Sequence, residues 1–152
     1  MDFRASPEFA AFEKKFISLT YAPPSMFHAH LTPHPPTKAF EAPVVEALTI
    51  DFHAGLTETE KQAYYQNFKN FMEQTIVDAK GLVAEAHGWV VEELEKEGKK
   101  QKAFMCFIGW DSVDMHMKYR ETESFKECIH LLRDGSEAIE MHHVKFADSA
   151  SG

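Results

Sequence analysis

No glycine-rich phosphate loop runs through this chain: neither GxGxxG nor a P-loop occurs among its seven glycines. GxSxG and HExxH are missing too, which removes the nucleophile-elbow hydrolases and the zincin proteases. Only two cysteines are present, Cys106 and Cys128, in apolar contexts without metal-ligand spacing. They read as reduced core residues of an intracellular protein. Basic side chains are scarce, 16 Lys plus Arg against 24 Asp plus Glu, for a net charge of −8. That balance speaks against a phosphate-neutralising surface and so against nucleic acid as the main partner. The short basic run Lys99, Lys100 and Lys102 follows Glu95 and Glu97 and reads as a solvated turn. No stretch approaches the roughly 20 apolar residues of a membrane span. The opening "MDFRASPEFAAFEKKF" lacks the continuous apolar core of a signal peptide. Together these absences predict a cytoplasmic protein with neither nucleic acid nor membrane as partner.

What is present is a chain of 152 residues with thirteen Phe, enough for one domain with a real core. From Ala42 onward the apolar period switches cleanly. "APVVEALTIDFHAG" (42–55) is rich in β-branched residues and stops at Gly55, a strand bounded by turn signals. Thr57 with Glu60 three residues on makes a capping box. Tyr64, Phe68, Phe71, Met72, Thr75, Ile76 and Ala79 then form one apolar stripe on a helix of about six turns. Lys80 and Gly81 close it. Residues 82–94 read as a second strand, "EKEGKK" as a turn, and 102–110 as a third strand, apolar on both faces and therefore central. Asp111 or Ser112 caps a second helical region that runs to Leu132 with a break near Thr122. "RDGS" stops it, and 138–146 is a last strand.

The order β-α-β-β-α-β is the ferredoxin-like split unit, an α+β fold with both helices on one face of an antiparallel sheet. Apolar residues of both strand parities, Phe104, Cys106 and Ile108 against Met105 and Phe107, say that the other sheet face is buried as well. A second copy packed sheet against sheet would bury it, so a homodimer is expected. Residues 1–41 form an N-terminal extension outside this unit, 42–148 the domain, and 149–152 a mobile polar tail. Within the extension, 21–40 holds five of the seven prolines and three of the nine histidines. Its prolines forbid a central strand. It reads as an extended arm ordered against the body, with Met26, Phe27 and Phe40 as anchors and "MFHAHL" available to pair on a sheet edge.

At "FIGWDSVDMHMKYRETESF" the chain resembles the dimeric α+β barrel superfamily: a strand ending in an aromatic, then an acidic residue, Ser and Val, then His or an aromatic a turn and a half later. That superfamily includes antibiotic-biosynthesis monooxygenases, stress-responsive barrel proteins, EthD-like enzymes and polyketide cyclases. The resemblance spans residues 42–147. It implies a ligand cavity between each protomer's sheet and its helices. On the third strand the resemblance puts Phe104, Cys106, Ile108 and Trp110 toward that cavity, and on the first Glu46, Leu48, Ile50 and Phe52. On the second helical region it puts Val113, His116, Tyr119 and Arg120 there. Where the cyclases carry a later catalytic His, this chain has Ser124 and Phe125, which makes Phe125 an apolar wall residue.

His116 has two readings. A His on an inward helical stripe is often a hydrogen-bonded residue at the core edge. In an apolar cavity it is instead a general acid/base kept neutral by burial, and the resemblance favours this second reading. Tyr119, one turn on, could donate its phenol to a substrate oxyanion. His142 and His143 are strand neighbours and point to opposite faces. Register with Ile139 and Met141 favours His143 as the cavity member. Glu46, a carboxylate among apolar neighbours, needs a partner, which His143 or Arg120 could supply.

In "HAH" both imidazoles, His28 and His30, lie on one side of an extended strand, which raises a metal site. A cupin would add a Glu and a later His on a further strand, and the helices here do not belong to one. No metal is assigned, and His28 or His30 is expected to reach over the cavity mouth as part of a lid. The leading functional expectation is a cofactor-independent enzyme of secondary metabolism. It would act on an aromatic or polyketide-like molecule by a cyclase, dehydratase, decarboxylase or other lyase or isomerase step, with His116, Tyr119 and His143 as catalytic residues. The alternatives are a cofactor-free monooxygenase and a non-catalytic, stress-responsive ligand-binding barrel.

Overall fold

Strand β1 (Val44–His53) owes its place to alternation: Leu48, Ile50 and Phe52 are buried on one face against the helices. The computed structural model describes residues 6–21 and 26–147, so the tail expected at 149–152 lies outside the described residues. Next to β1 run β4 (Lys99–Trp110) and β5 (Ala138–Val144), with β2 (Leu82–Trp89) beyond β4. The sheet order is β2-β4-β1-β5, all antiparallel, with the short β3 (Leu94–Lys96) paired to β4. The chain is α+β, and its body has the ferredoxin-like order expected from sequence.

Helix α3 (Glu58–Thr75) starts at the expected capping box, with the Glu60 carboxylate accepting from the Thr57 N–H at 2.7 Å. Its buried stripe is Tyr64, Phe68, Phe71, Met72 and Thr75. The helix ends earlier than its apolar spacing implies: Ile76–Asp78 is a 3₁₀ turn and Ile76 is exposed. Thr75 turns its hydroxyl back to the Phe71 carbonyl at 2.8 Å, a local bond that competes with helix continuation. The second helical region is three short pieces, α4 (Val113–Tyr119), α5 (Glu123–Cys128) and α6 (His130–Arg133). Ser112 caps α4 and Thr122 caps α5, so the expected break falls at Thr122.

Two readings of the strands need correction. "EKEGKK" is not merely a turn, because β3 and the start of β4 form a hairpin within it. Only Glu97 and Gly98 turn, both at positive φ as a primed hairpin turn requires. A run of charges conceals any two-residue apolar period there. The second strand also ends at Trp89 rather than at Leu94.

The arm explains that early end. The Val91 N–H donates to the His28 carbonyl at 2.8 Å, and Thr32 and His87 exchange both backbone bonds at 2.8 and 3.0 Å. Thus "MFHAHL" lies along the β2 edge, while Phe27 and Ala29 pack on Val90, Leu94 and Ala103. Farther along, α2 (Thr37–Phe40) sets Phe40 edge-on to Phe107 at 5.0 Å and stacks it on Phe146 at 4.4 Å. The sheet face away from the long helix is therefore covered in part by the chain's own extension. A second copy is therefore not needed to cover this part of the face. Residues 7–17 form an unexpected helix, α1 (Pro7–Ile17), begun by a Ser6 cap and a proline in its first turn. It has no buried residue.

The seam between arm and sheet makes a prediction. A Cβ on Gly88 would fall inside the His30 carbonyl. Gly88→Ala should therefore lift the arm off β2 and cost about 1–3 kcal/mol, the usual range for overpacking. Limited proteolysis should then cut within residues 26–36 much faster than in the parent protein, and equal cutting rates would refute the seam.

Candidate functional site

Strand register brings the site together. Glu46 lies opposite Ile108 of β4 on one side and His143 of β5 on the other. His116, one turn into α4, comes down over them. It stacks on the Trp110 indole with ring centroids 5.1 Å apart. One Glu46 oxygen, Oε2, accepts the Trp110 Nε1–H at 3.2 Å and lies 3.3 Å from His116 Nε2. The other His116 nitrogen, Nδ1, is 2.7 Å from Nε2 of His143. The result is a line of polar groups, Glu46 to His116 to His143, with a close approach of 3.3 Å at its inner end and a hydrogen bond of 2.7 Å at its outer end. His116 is 1% exposed, whereas His143 sits on the outer strand in contact with solvent.

Glu46 and His116 share the wall of a cavity of about 210 Å³ between β1, β4, β5 and the helices. Leu48, Phe71, Ile108, Phe125, Leu132 and Met141 supply most of its apolar lining. Drug-sized pockets run to about 300–1,000 Å³, so this one suits a single ring better than a fused polycycle. Arg120 and Arg133 stand at the same cavity, both on exposed residues.

Burial sets the charge states. Desolvation raises the Glu46 carboxyl to about 7 against the opposing pull of the Trp110 bond and of Arg120. Desolvation also lowers His116 to about 4, helped by the positive fields of His143 and Arg120. The neutral forms of both groups are favoured, and between those values the pair holds a single proton. With that proton on Glu46, the carboxylic O–H faces His116 Nε2 and the His116 Nδ1–H faces His143. With the proton gone, His116 Nε2–H donates to the carboxylate and Nδ1 accepts from His143. Switching between these two states carries a proton along the line.

Of the residues expected at the site, Glu46, Leu48, Ile108, His116, Tyr119, Arg120 and Phe125 line the cavity. Others fall elsewhere: His143, expected as the cavity member of its pair, is exposed and touches His116 without lining the cavity. Ile50, Phe104 and Cys106 are fully buried in the core beneath α3 and do not line it. Trp110 stands behind the wall, holding Glu46 and His116 in place. Val113 is 42% exposed, so a place on the cavity wall is corrected: it is the first residue of a seven-residue helix whose opening turn faces outward. Tyr119 presents its ring to the cavity, but its O–H donates to Thr75 Oγ1 at 2.6 Å. Burial raises that phenol to about 12. It is therefore not a free donor for a substrate oxyanion.

The lid placement of the arm histidines is also corrected. His28 pairs with Glu92 at 2.5 Å, and His30 lines a separate groove beside Tyr65 and His87. Both follow the β2 edge, whereas the cavity lies toward β5 at the other side of the sheet. Sequence reading missed Phe71, Ile129, Leu132, Arg133, Ile139 and Met141 as cavity residues. Ile139 and Met141 share strand parity with His143 and could have been found by it. Arg133 could not, because it sits in a segment that reads only as a helix stop.

No protein-family model matches the chain, and no curated protein matches it. Solved structures do. A protein of Arabidopsis thaliana superposes with a TM-score of 0.53 at 13% identity, covering 71% of this chain and 99% of that one. A variant of SnoaB, a cofactor-independent oxygenase from Streptomyces nogalater, gives 0.51 at 13%, covering 72% and 97%. A proposed antibiotic biosynthesis monooxygenase from Bordetella bronchiseptica gives 0.50 at 17%, covering 68% and 96%. The likeness is one of fold alone, the arrangement of antiparallel sheet and helices described above. Among the described residues no helix is long and apolar enough to cross a membrane.

Proposed function

We propose that this chain is a cofactor-independent enzyme that moves a proton on a small, single-ring molecule, with Glu46 as the group that meets the substrate. One observation carries the reading. Glu46 lines the cavity with Oε2 held by Trp110 and His116, while Oε1 has no hydrogen bond among the described residues. A carboxyl titrating near the working pH is suited to both accepting and returning a proton. In the forward step the substrate C–H or O–H proton passes to Oε1, leaving an enolate or phenolate. The same carboxyl then returns that proton to another atom of the substrate, while the line through His116 and His143 exchanges a proton between Oε2 and water between turnovers. His116 has both ring nitrogens engaged by Glu46 and His143, so its role is to relay and orient. This replaces the expectation that His116 itself meets the substrate. Isomerase, lyase and cyclase steps all begin in this way.

A second reading shares the first step. Molecular oxygen, as the oxidant, would add to the electron-rich enolate or phenolate, as in a cofactor-free monooxygenase, and the fold-level likeness to the SnoaB variant favours keeping it. The protein would work as a homodimer through the part of the sheet face that the arm leaves open, where Val144 and Phe146 remain exposed. The test uses single-ring phenols and cyclic 1,3-diketones in D₂O, followed by NMR with and without ¹⁸O₂. The proton-transfer reading predicts deuterium incorporation that needs no oxygen, and the oxygenase reading predicts labelled product. Exchange no faster than in buffer, with no label taken up, would refute both.

A further inference from the structure

We infer that the molecule held in this cavity is an aromatic carboxylate, its ring against the apolar walls and its carboxylate between Arg120 and Arg133. The inference rests on the cavity being the functional site, as proposed above, and adds the class of ligand.

The chain has three arginines and a net charge of −8, yet two of the three stand at this one cavity. Neither guanidinium takes part in an ion pair or hydrogen bond among the described residues, and both arginines bond only through their backbones. Many of the lysines do, including Lys61, Lys96, Lys100, Lys118 and Lys126. A guanidinium without a carboxylate partner, in a chain so rich in carboxylates, keeps its planar fork available to a ligand. That fork matches a carboxylate through two parallel N–H bonds. The remaining walls are hydrocarbon and aromatic edges, Phe71 and Phe125 among them, at 5.7 Å between centroids. They suit one ring.

The charged and titratable groups around Glu46 are His116 and Tyr119 from α4, Arg120 at its C-terminal cap, Cys106 from β4, His143 from β5, and Arg133 across the cavity. Arg120 is near enough for its charge to be felt at both Glu46 and His116. An anion bound to Arg120 offsets that field and adds its own, so Glu46 holds its proton more firmly once the ligand is in place. Ligand binding and proton uptake are therefore coupled.

The probes are benzoate and its neutral analogue benzyl alcohol, titrated calorimetrically into the full chain at about pH 7 in buffers of different ionisation enthalpy. Benzoate should bind at least about tenfold more tightly than benzyl alcohol, and Arg120→Gln and Arg133→Gln should each weaken benzoate by about tenfold. Benzyl alcohol carries no charge for a guanidinium to pair with, so each variant should weaken it by much less than it weakens benzoate. Benzoate binding should take up a proton, and Glu46→Gln should abolish the uptake. Benzoate no tighter than benzyl alcohol, absence of benzoate binding, or Arg variants that bind benzoate unchanged would overturn the inference. None of these readouts uses turnover. Anion selectivity without proton-transfer activity would sink the enzyme reading alone, and activity without anion selectivity would sink this inference alone.

Discussion

Glu46→Gln is expected to lower proton exchange or turnover about 10²–10⁴-fold, the usual contribution of a general acid or base. Glutamine keeps the shape and can still accept from Trp110, so the cavity should persist. The parent rate should rise as pH passes through about 7, because Glu46 must be ionised to accept a proton. In Glu46→Gln that limb disappears. His116→Gln should keep a limb but move it, since the imidazole that stands 3.3 Å from the carboxylate is gone. A merely packed His116 would leave the limb in place.

The same shifts fix how stability depends on pH. Glu46 is raised in the folded state, so its contribution is fully present below about 4.5 and is lost as pH rises through about 7. His116 is lowered from 6.5 to about 4, so the unfolded chain binds its proton first and folded stability increases with pH across that window. The two slopes oppose each other between about 4.5 and 6.5, leaving the pair's contribution flat there. Glu46→Gln removes one slope. Its stability should rise with pH over that window by on the order of 2 kcal/mol, read by urea denaturation.

Trp110→Ala should be the most damaging single change to the fold, costing about 3–5 kcal/mol as large core aromatics do. Trp110 is fully buried, stacks on His116, lies 5.2 Å from the Tyr119 ring, and donates to Glu46. For a chain of this size each kcal/mol moves Tm by about 2–4 °C, so a fall of roughly 10 °C is expected. Trp110→Phe separates packing from hydrogen bonding. It should retain much of the stability while raising the Glu46 limb, because the indole N–H no longer supports the carboxylate. A Trp110→Ala protein with unchanged Tm would refute the packing account.

Much of this was legible in the chain. The capping box at Thr57 and the break at Thr122 are local hydrogen-bonding patterns, and both occur where the residues require them. The alternation of β1 placed Glu46 among apolar neighbours and so demanded a partner. Which partner it would have was not legible. Glu46 meets Trp110 and His116 directly and His143 only through His116, an arrangement set by three-strand register and by the descent of α4. Helical spacing put Val113 on the inward stripe, but α4 is only seven residues long and its N-terminal turn faces outward. The arm's route was half legible: its capacity to pair on an edge was in "MFHAHL". That the edge would be β2, far from the cavity, depends on Gly88 leaving room for the His30 backbone.

The central claim is that Glu46 is a carboxyl held for proton transfer near neutral pH, and it can be observed without a substrate. Carbon-13 NMR of glutamate-labelled protein, with Glu46→Gln to assign the signal, follows that one carboxyl through a pH titration. A midpoint near 7, with the resonance perturbed by His116→Gln, is the predicted result. A midpoint at the ordinary glutamate value of about 4.5 would contradict the account.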